Sequence, residues 1–202
     1  MRVLCVSDVV MPEIDRYPDP KHFGDPDFLI SCGDLPPEYL RLLRSAFNVP
    51  LYYVRGNHDI RYGNAPIAGC TNIHGRLVRH GRLTILGLEG SRWYNGGPAQ
   101  YTEAQMRRMV WRLRPLIWLK KGVDIVVTHA PPRHVHDAED PCHRGFAIYR
   151  KLIQWHRPRY FLHGHIHIAF TNEDQRFAQQ GPTRIINCYG YHLLNIDDHA
   201  PA

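Results

Sequence analysis

The chain opens with an apolar run, Val3-Leu4-Cys5-Val6, that stops abruptly at Ser7-Asp8. The same pattern recurs downstream. Phe28–Cys32 (FLISC) stops at Gly33-Asp34, Leu51–Val54 at RGNHD, Val123–Val127 at THAPP, and Tyr160–Leu162 at HGHIH. Short, continuous apolar runs bounded by Gly, Asp, Asn and Pro read as strands buried on both faces. Between them lie segments of helical period. Leu40, Leu43 and Phe47 mark one face over Pro36–Phe47, with prolines in its first turn. Thr102-x-x-Gln105 is a capping box that opens a second helix, which Pro115 is expected to break or kink before it resumes to Lys121. Residues 144–157 form a third helical segment, closed by Pro158. Residues 72–90 read as a hairpin turning at Gly81, residues 91–100 as a loop, and RIINCYGYHLLNI as two short strands around Gly190.

Strands and helices alternate first and strands dominate the tail, so the expected fold class is α/β: mixed or paired β-sheets with helices outside. No repeat or linker interrupts the pattern, and residues 1–202 are read as a single domain. No apolar run reaches the length of a membrane span, and MRVLCVSD lacks a signal-peptide pattern, so the expected location is cytoplasmic with no membrane partner. Five scattered cysteines form no CxxC pair and read as reduced thiols, mostly buried. The net charge of +6 favours anionic partners without selecting among them. Oligomeric state leaves no mark in the sequence.

Fourteen histidines change the picture, because many of them follow predicted strands. Five strand ends carry Asp8, Asp34, Asn57-His58-Asp59, His129, and His165 with His167. Each has a plain structural role open to it: Asp34 as a helix cap, Asn57 and Asp59 as turn formers, His129 as a buried loop residue, His165 and His167 as edge residues. Together they weigh differently, since strand C-termini converge on one rim of such a sheet, where sites form. Carboxylate, imidazole and amide oxygen suit divalent Mn, Fe, Zn or Co. Two ions about 3.5–4 Å apart need a shared bridging ligand, which a carboxylate such as Asp34 can provide, and such a pair can hold a hydroxide and polarise a phosphoryl group for in-line displacement.

The order Asp8…Gly33-Asp34…Gly56-Asn57-His58-Asp59…His129…Gly164-His165-Ile166-His167 resembles the calcineurin-like metallophosphoesterase superfamily over residues 8–167. The resemblance implies two packed mixed β-sheets flanked by helices and a binuclear centre acting on a small phosphoester. Asp34 would bridge the ions, Asn57, His129 and His165 would complete one site, and Asp8 and His167 would serve the other. His58 would contact the phosphate and stabilise or protonate the leaving oxygen, and Asp59 would orient His58.

One position departs from the family pattern. Val10 stands where the family's D-x-H motif has its histidine, and valine has no donor atom. Three outcomes stay open: an extra water in place of the imidazole, a weak first site that leaves a mononuclear centre, or a substitute from Glu13, Asp15, His22 or Tyr39. For substrate contacts the candidates are Arg92 as a phosphate clamp beside Trp93 and Tyr94, and Asp137 and His143 in the polar loop after His129. Arg107, Arg108, Arg112 and Arg114 read as a solvated helix face, and no recognition motif supports nucleic-acid binding. The alternatives to a phosphodiesterase or phosphatase are a nuclease, and a binding scaffold that keeps the fold without the chemistry.

Overall fold

A computed structural model describes residues 1–60, 66–168 and 170–197. Two large sheets pack face to face. The first has five strands: β1 (Arg2–Ser7), β2 (Phe28–Ser31), β3 (Leu51–Tyr53), β4 (Cys70–Asn72) and β13 (Gly190–Asn195). Their order is β13-β1-β2-β3-β4. The second has six: β5 (Leu77–His80), β6 (Leu83–Leu88), β9 (Ile125–Thr128), β10 (Tyr160–His163), β11 (Phe177–Gln180) and β12 (Thr183–Asn187). Their order is β11-β12-β10-β9-β6-β5. A two-stranded ladder, β7 (Ser91–Arg92) with β8 (Gln100–Tyr101), closes the segment read as a plain loop.

The apolar runs are continuous because both faces of each sheet are covered. Val3, Cys5, Phe28 and Ile30 point between the sheets, where they meet Ile85, Ile125, Val127, Leu162 and Ile186. Leu4 and Leu29 point outward under α1 (Pro12–Arg16) and α2 (Pro37–Phe47), against Ile14, Leu40 and Leu43. On the far side Leu86, Val126 and Phe161 pack under α3 (Glu103–Leu119) and α4 (Ala147–His156), against Val110 and Leu152. Among the described residues no helix is long and apolar enough to cross a membrane.

The Thr102–Gln105 capping box is formed, with the Thr102 side chain accepting from the Gln105 N–H. Pro115, in contrast, neither breaks nor ends its helix, which runs on to Leu119. The ring sits on the exposed side, and Met106, Val110, Leu113 and Ile117 hold the opposite stripe in the core. The burial of that stripe outweighs the one backbone hydrogen bond that proline removes. Of the five cysteines, Cys5, Cys32, Cys70 and Cys188 are buried free thiols and Cys142 is partly exposed.

β1, β2 and β3 run parallel in one sheet, as do β9 and β10 in the other. Their C-terminal ends therefore open on the same rim, and all the polar strand-end groups leave from it.

Candidate metal centre

Three of these groups leave their strands with a backbone turn that L residues rarely adopt. Asp8, Asp34 and His165 have φ of 69°, 56° and 67°. Local hydrogen bonds hold these conformations. The Asp8 N–H donates to the Gly33 carbonyl at 3.0 Å. The His58 N–H donates to Asp34 Oδ1 at 2.8 Å, and the His165 N–H to both carboxylate oxygens of Asp8 at 3.0 Å. Glycines permit the close approach. A Cβ on Gly56 would run into Asp34 Oδ1 and lie 2.7 Å from His129 Cε1, and one on Gly164 would meet Ser7 and the Asp8 carboxylate.

His129 occupies the centre. Its ring is fully buried, and Nδ1 contacts the Cys32 carbonyl at 2.9 Å. A carbonyl only accepts, so Nδ1 carries a proton, and in the neutral ring Nε2 is the atom with the lone pair. Nε2 lies 3.2 Å from Asp34 Oδ2 and 3.1 Å from Asn57 Oδ1. Asn57 turns this oxygen inward because its Nδ2 donates to the Tyr94 hydroxyl at 3.2 Å. His165 is fixed in the opposite sense: Nε2 donates to the Cys142 carbonyl at 2.8 Å, which leaves Nδ1 with the lone pair. Asp34, His129 and His165 each offer a ligand atom within 4.8 Å of the others, the one such trio of His, Cys, Asp or Glu among the described residues.

The electrostatics of this cage favour a cation. Burial opposes charge on His129, but the carboxylates of Asp34 and Asp8 outweigh it and raise the imidazole to about 9. Burial likewise opposes charge on Asp34, yet His129 and the His58 amide bring its carboxyl down to about 2. Burial and the neighbouring His129 push His165 down to about 3, so its ring is neutral and ready to coordinate. Two imidazoles, a carboxylate and an amide oxygen in a buried cage fit a divalent transition metal.

The Asp8 side of the site is less complete. The Asp8 carboxylate is fully buried, and His167 Nε2 lies 3.4 Å from its Oδ1. The His167 ring is exposed and stacks on Tyr189 at 5.0 Å between centroids; the Asp8 hydrogen bond raises its pKa. Val10 packs against the apolar cluster of Ile14, Phe23 and Tyr39. Of the substitutes open to it, Glu13 and Asp15 are exposed on α1, His22 packs edge-on against Phe23, and Tyr39 is buried in that cluster.

His58 is exposed beside the cage, and Asp59 lies buried beneath it. Asp59 Oδ2 accepts from the N–H groups of Gly56 at 2.7 Å and Asp34 at 2.9 Å, contacts to the loop backbone rather than to the His58 ring. Burial and the Asp34 charge raise the Asp59 carboxyl to about 7. Arg92 is tied to Glu103 at 2.7 Å. Asp137 accepts from Arg133 and from the N–H groups of His134 and Gly145, pinning its own loop. His143 lies at the edge of the cage, its ring 5.3 Å from that of His165 and its Nδ1 bonded to Asp140.

Several supports are not visible in the sequence. The carbonyls of Cys32 and Cys142 carry no residue-type signal. Tyr94 reads there only as a stacking ring. Behind the loop that carries Asn57 lies a buried ionic cluster. Arg55 donates two hydrogen bonds to Glu89, at 2.8 and 3.0 Å, and Tyr101 adds a third at 2.8 Å. The Glu89 N–H donates to His74 Nδ1 at 3.0 Å, and the Gly90 N–H to the Arg55 carbonyl at 2.8 Å.

A search of curated proteins returns no match. Among solved structures, TT1561 of Thermus thermophilus is similar at 17% identity and a TM-score of 0.66, over 94% of this chain and 89% of that one. Vps29 of Chaetomium thermophilum is similar more loosely, at 13% identity and a TM-score of 0.44, over 98% and 80%. At such identities the likeness concerns the fold alone. The family model for calcineurin-like phosphoesterases matches residues 1–169, which carry every polar strand-end group described above. With that match over most of its length, the chain belongs to the calcineurin-like phosphoesterase family.

Proposed function

We propose that this protein is a metal-dependent phosphoesterase acting on small phosphoesters, with phosphodiesters as the preferred class. The observation that supports this most is the convergence of Asp34, Asn57 and His165 on His129 in a cage already fixed by protein hydrogen bonds. In this reading Asp34, Asn57, His129 and His165 would hold one divalent ion (Mn, Fe, Zn or Co). Asp8 and His167, with Asp34, would hold a second ion less tightly because position 10 is valine. Bound ions would supply Lewis acidity toward the phosphoryl oxygens. His58, exposed at the mouth, donates a hydrogen bond or proton to the leaving oxygen. Asp59 secures the backbone of the His58 loop to that of Asp34.

The test is hydrolysis of bis-p-nitrophenyl phosphate and p-nitrophenyl phosphate by metal-loaded protein, with metal content measured in parallel. His58→Ala is expected to lower turnover by about a hundredfold or more while retaining the metal. Equal loss of metal and turnover would remove His58 from this role. Val10 favours a second reading, a fold-retaining scaffold; metal-free protein that turns over no phosphoester even when supplied with these ions would support it.

A further inference from the structure

At the far end of the same strands a cavity of about 850 Å³ opens, and nothing in the metal centre uses it. Its walls come from where β9, β10 and β12 begin and where α3 and α4 end. Asp124 precedes β9 and His129 follows it, so the strand sets these two residues roughly 16 Å apart at about 3.3 Å of rise per residue.

The lining is strongly basic. Arg79 comes from β5 and Arg82 from the turn after it, and Lys120 and Lys121 from the end of α3. Arg157 follows α4, while Arg159 and Arg184 stand at the starts of β10 and β12. Against these seven cations the cavity has two acids, Asp124 and Asp197, an excess of five positive charges where the whole chain carries six. Asp124 is already engaged, accepting from the Thr84 N–H at 2.7 Å. Among the described residues none of the seven cations forms an ion pair, although Arg41, Arg55, Arg92, Arg133, Arg144 and Arg176 all do. His156 also lines the cavity, and its Nε2 is a buried nitrogen with no hydrogen-bond partner among the described residues.

Part of this has a plainer cause. Lys120, Lys121 and Arg157 follow helix C-termini, where the macrodipole favours cations. That cause does not reach Arg79, Arg82, Arg159 or Arg184, which come from a hairpin and from strand starts on the same cavity. Like charges gathered around one concavity repel unless a counter-charge joins them. The volume falls within the roughly 300–1,000 Å³ usual for small-molecule sites. An excess of five charges exceeds what a single phosphate neutralises, and arginine forks suit phosphate oxygens.

We propose that this cavity is a second binding site, for a small ligand bearing two or more phosphate groups, of nucleoside di- or triphosphate size. It is separate from the metal centre and stands whatever reaction that centre catalyses. The test is calorimetric titration of the full chain with pyrophosphate, ADP and inorganic phosphate, repeated on Arg79→Glu/Arg184→Glu, on the milder Arg79→Ala/Arg184→Ala, and on Asp34→Asn. Pyrophosphate and ADP are expected to bind more tightly than phosphate, and to weaken between about 50 and about 200 mM salt. Both double variants should lose roughly tenfold or more in affinity, as for one lost charge-assisted contact, while Asp34→Asn binds as the parent does. Hydrolysis of bis-p-nitrophenyl phosphate should be unchanged in the double variants. Absence of pyrophosphate binding overturns the proposal, as does equal binding by folded double variants. So does loss of binding in Asp34→Asn, which would place the ligand at the metal centre. Binding of single-stranded RNA without pyrophosphate or ADP would overturn it in favour of a nucleic-acid surface.

Discussion

Removing either partner of the Arg55–Glu89 fork should cost unequal amounts of stability, and the structure says which costs more. Glu89 is 2% exposed and Arg55 34% exposed. Breaking a buried ion pair from one side costs about 3–5 kcal/mol, because the remaining charge stays buried and uncompensated. Arg55→Ala removes both guanidinium hydrogen bonds from the buried carboxylate and leaves it the Tyr101 hydroxyl and the His74 ring 3.8 Å away, so the upper part of that range applies. Glu89→Ala strands a guanidinium that already reaches water, and solvation brings its cost to the lower end or below. In a domain of this size each kcal/mol moves the melting temperature by roughly 2–4 °C, so the two variants should be resolved by thermal denaturation at pH 7.

The pH dependence has a definite sign. In the parent, burial raises the Glu89 pKa, but Arg55, His74 and Tyr101 outweigh it and hold it below the usual carboxylate value. A lowered folded-state pKa contributes stability above the unfolded pKa, and that contribution is lost as the pH falls through the folded value. In Arg55→Ala burial loses its strongest opponent, with His74 and Tyr101 remaining, so the pKa rises and the sign reverses: the stability gap to the parent narrows as the pH drops from 7 toward 5. An Arg55→Ala variant no less stable than Glu89→Ala, or one whose deficit does not shrink on acidification, would refute this reasoning.

Two other outcomes follow from the metal centre. Val10→His restores an imidazole two residues after Asp8, and bound metal per chain should rise in samples dialysed against limiting Mn or Zn; unchanged stoichiometry would show that position 10 does not govern the Asp8 site. Gly56→Ala directs a Cβ at Asp34 Oδ1 and His129 Cε1. Metal content and melting temperature should both fall, and a variant that keeps both would mean that the loop yields at little cost.

The strand ends were legible because an apolar run that stops at Asp, Asn or His gives a one-residue signal for both the end of a buried strand and the group presented there. Asp8, Asp34, Asn57, His129 and His165 all announce themselves in this way. The sheet pairing of β11 and the brief β7–β8 ladder do not, since their residues are mostly half-exposed and carry no apolar period. Pro115 misled because a local backbone rule was weighed without the buried stripe beneath it. The Arg55–Glu89 fork joins residues 34 positions apart, and no pattern within one element foreshadows such a pair. The carbonyls that orient His129 and His165 are invisible for a simpler reason: every residue has one.

Those two carbonyls have a consequence for which substitutions the rings tolerate. The Cys32 and Cys142 oxygens fix the ring orientations of His129 and His165, and the His165 amide holds the Asp8 carboxylate. The two oxygens that set the rings are main-chain atoms, which every residue supplies. Their hold on the imidazoles therefore belongs to the path of the backbone, and exchanging either thiol for a hydroxyl would leave both rings turned as they are.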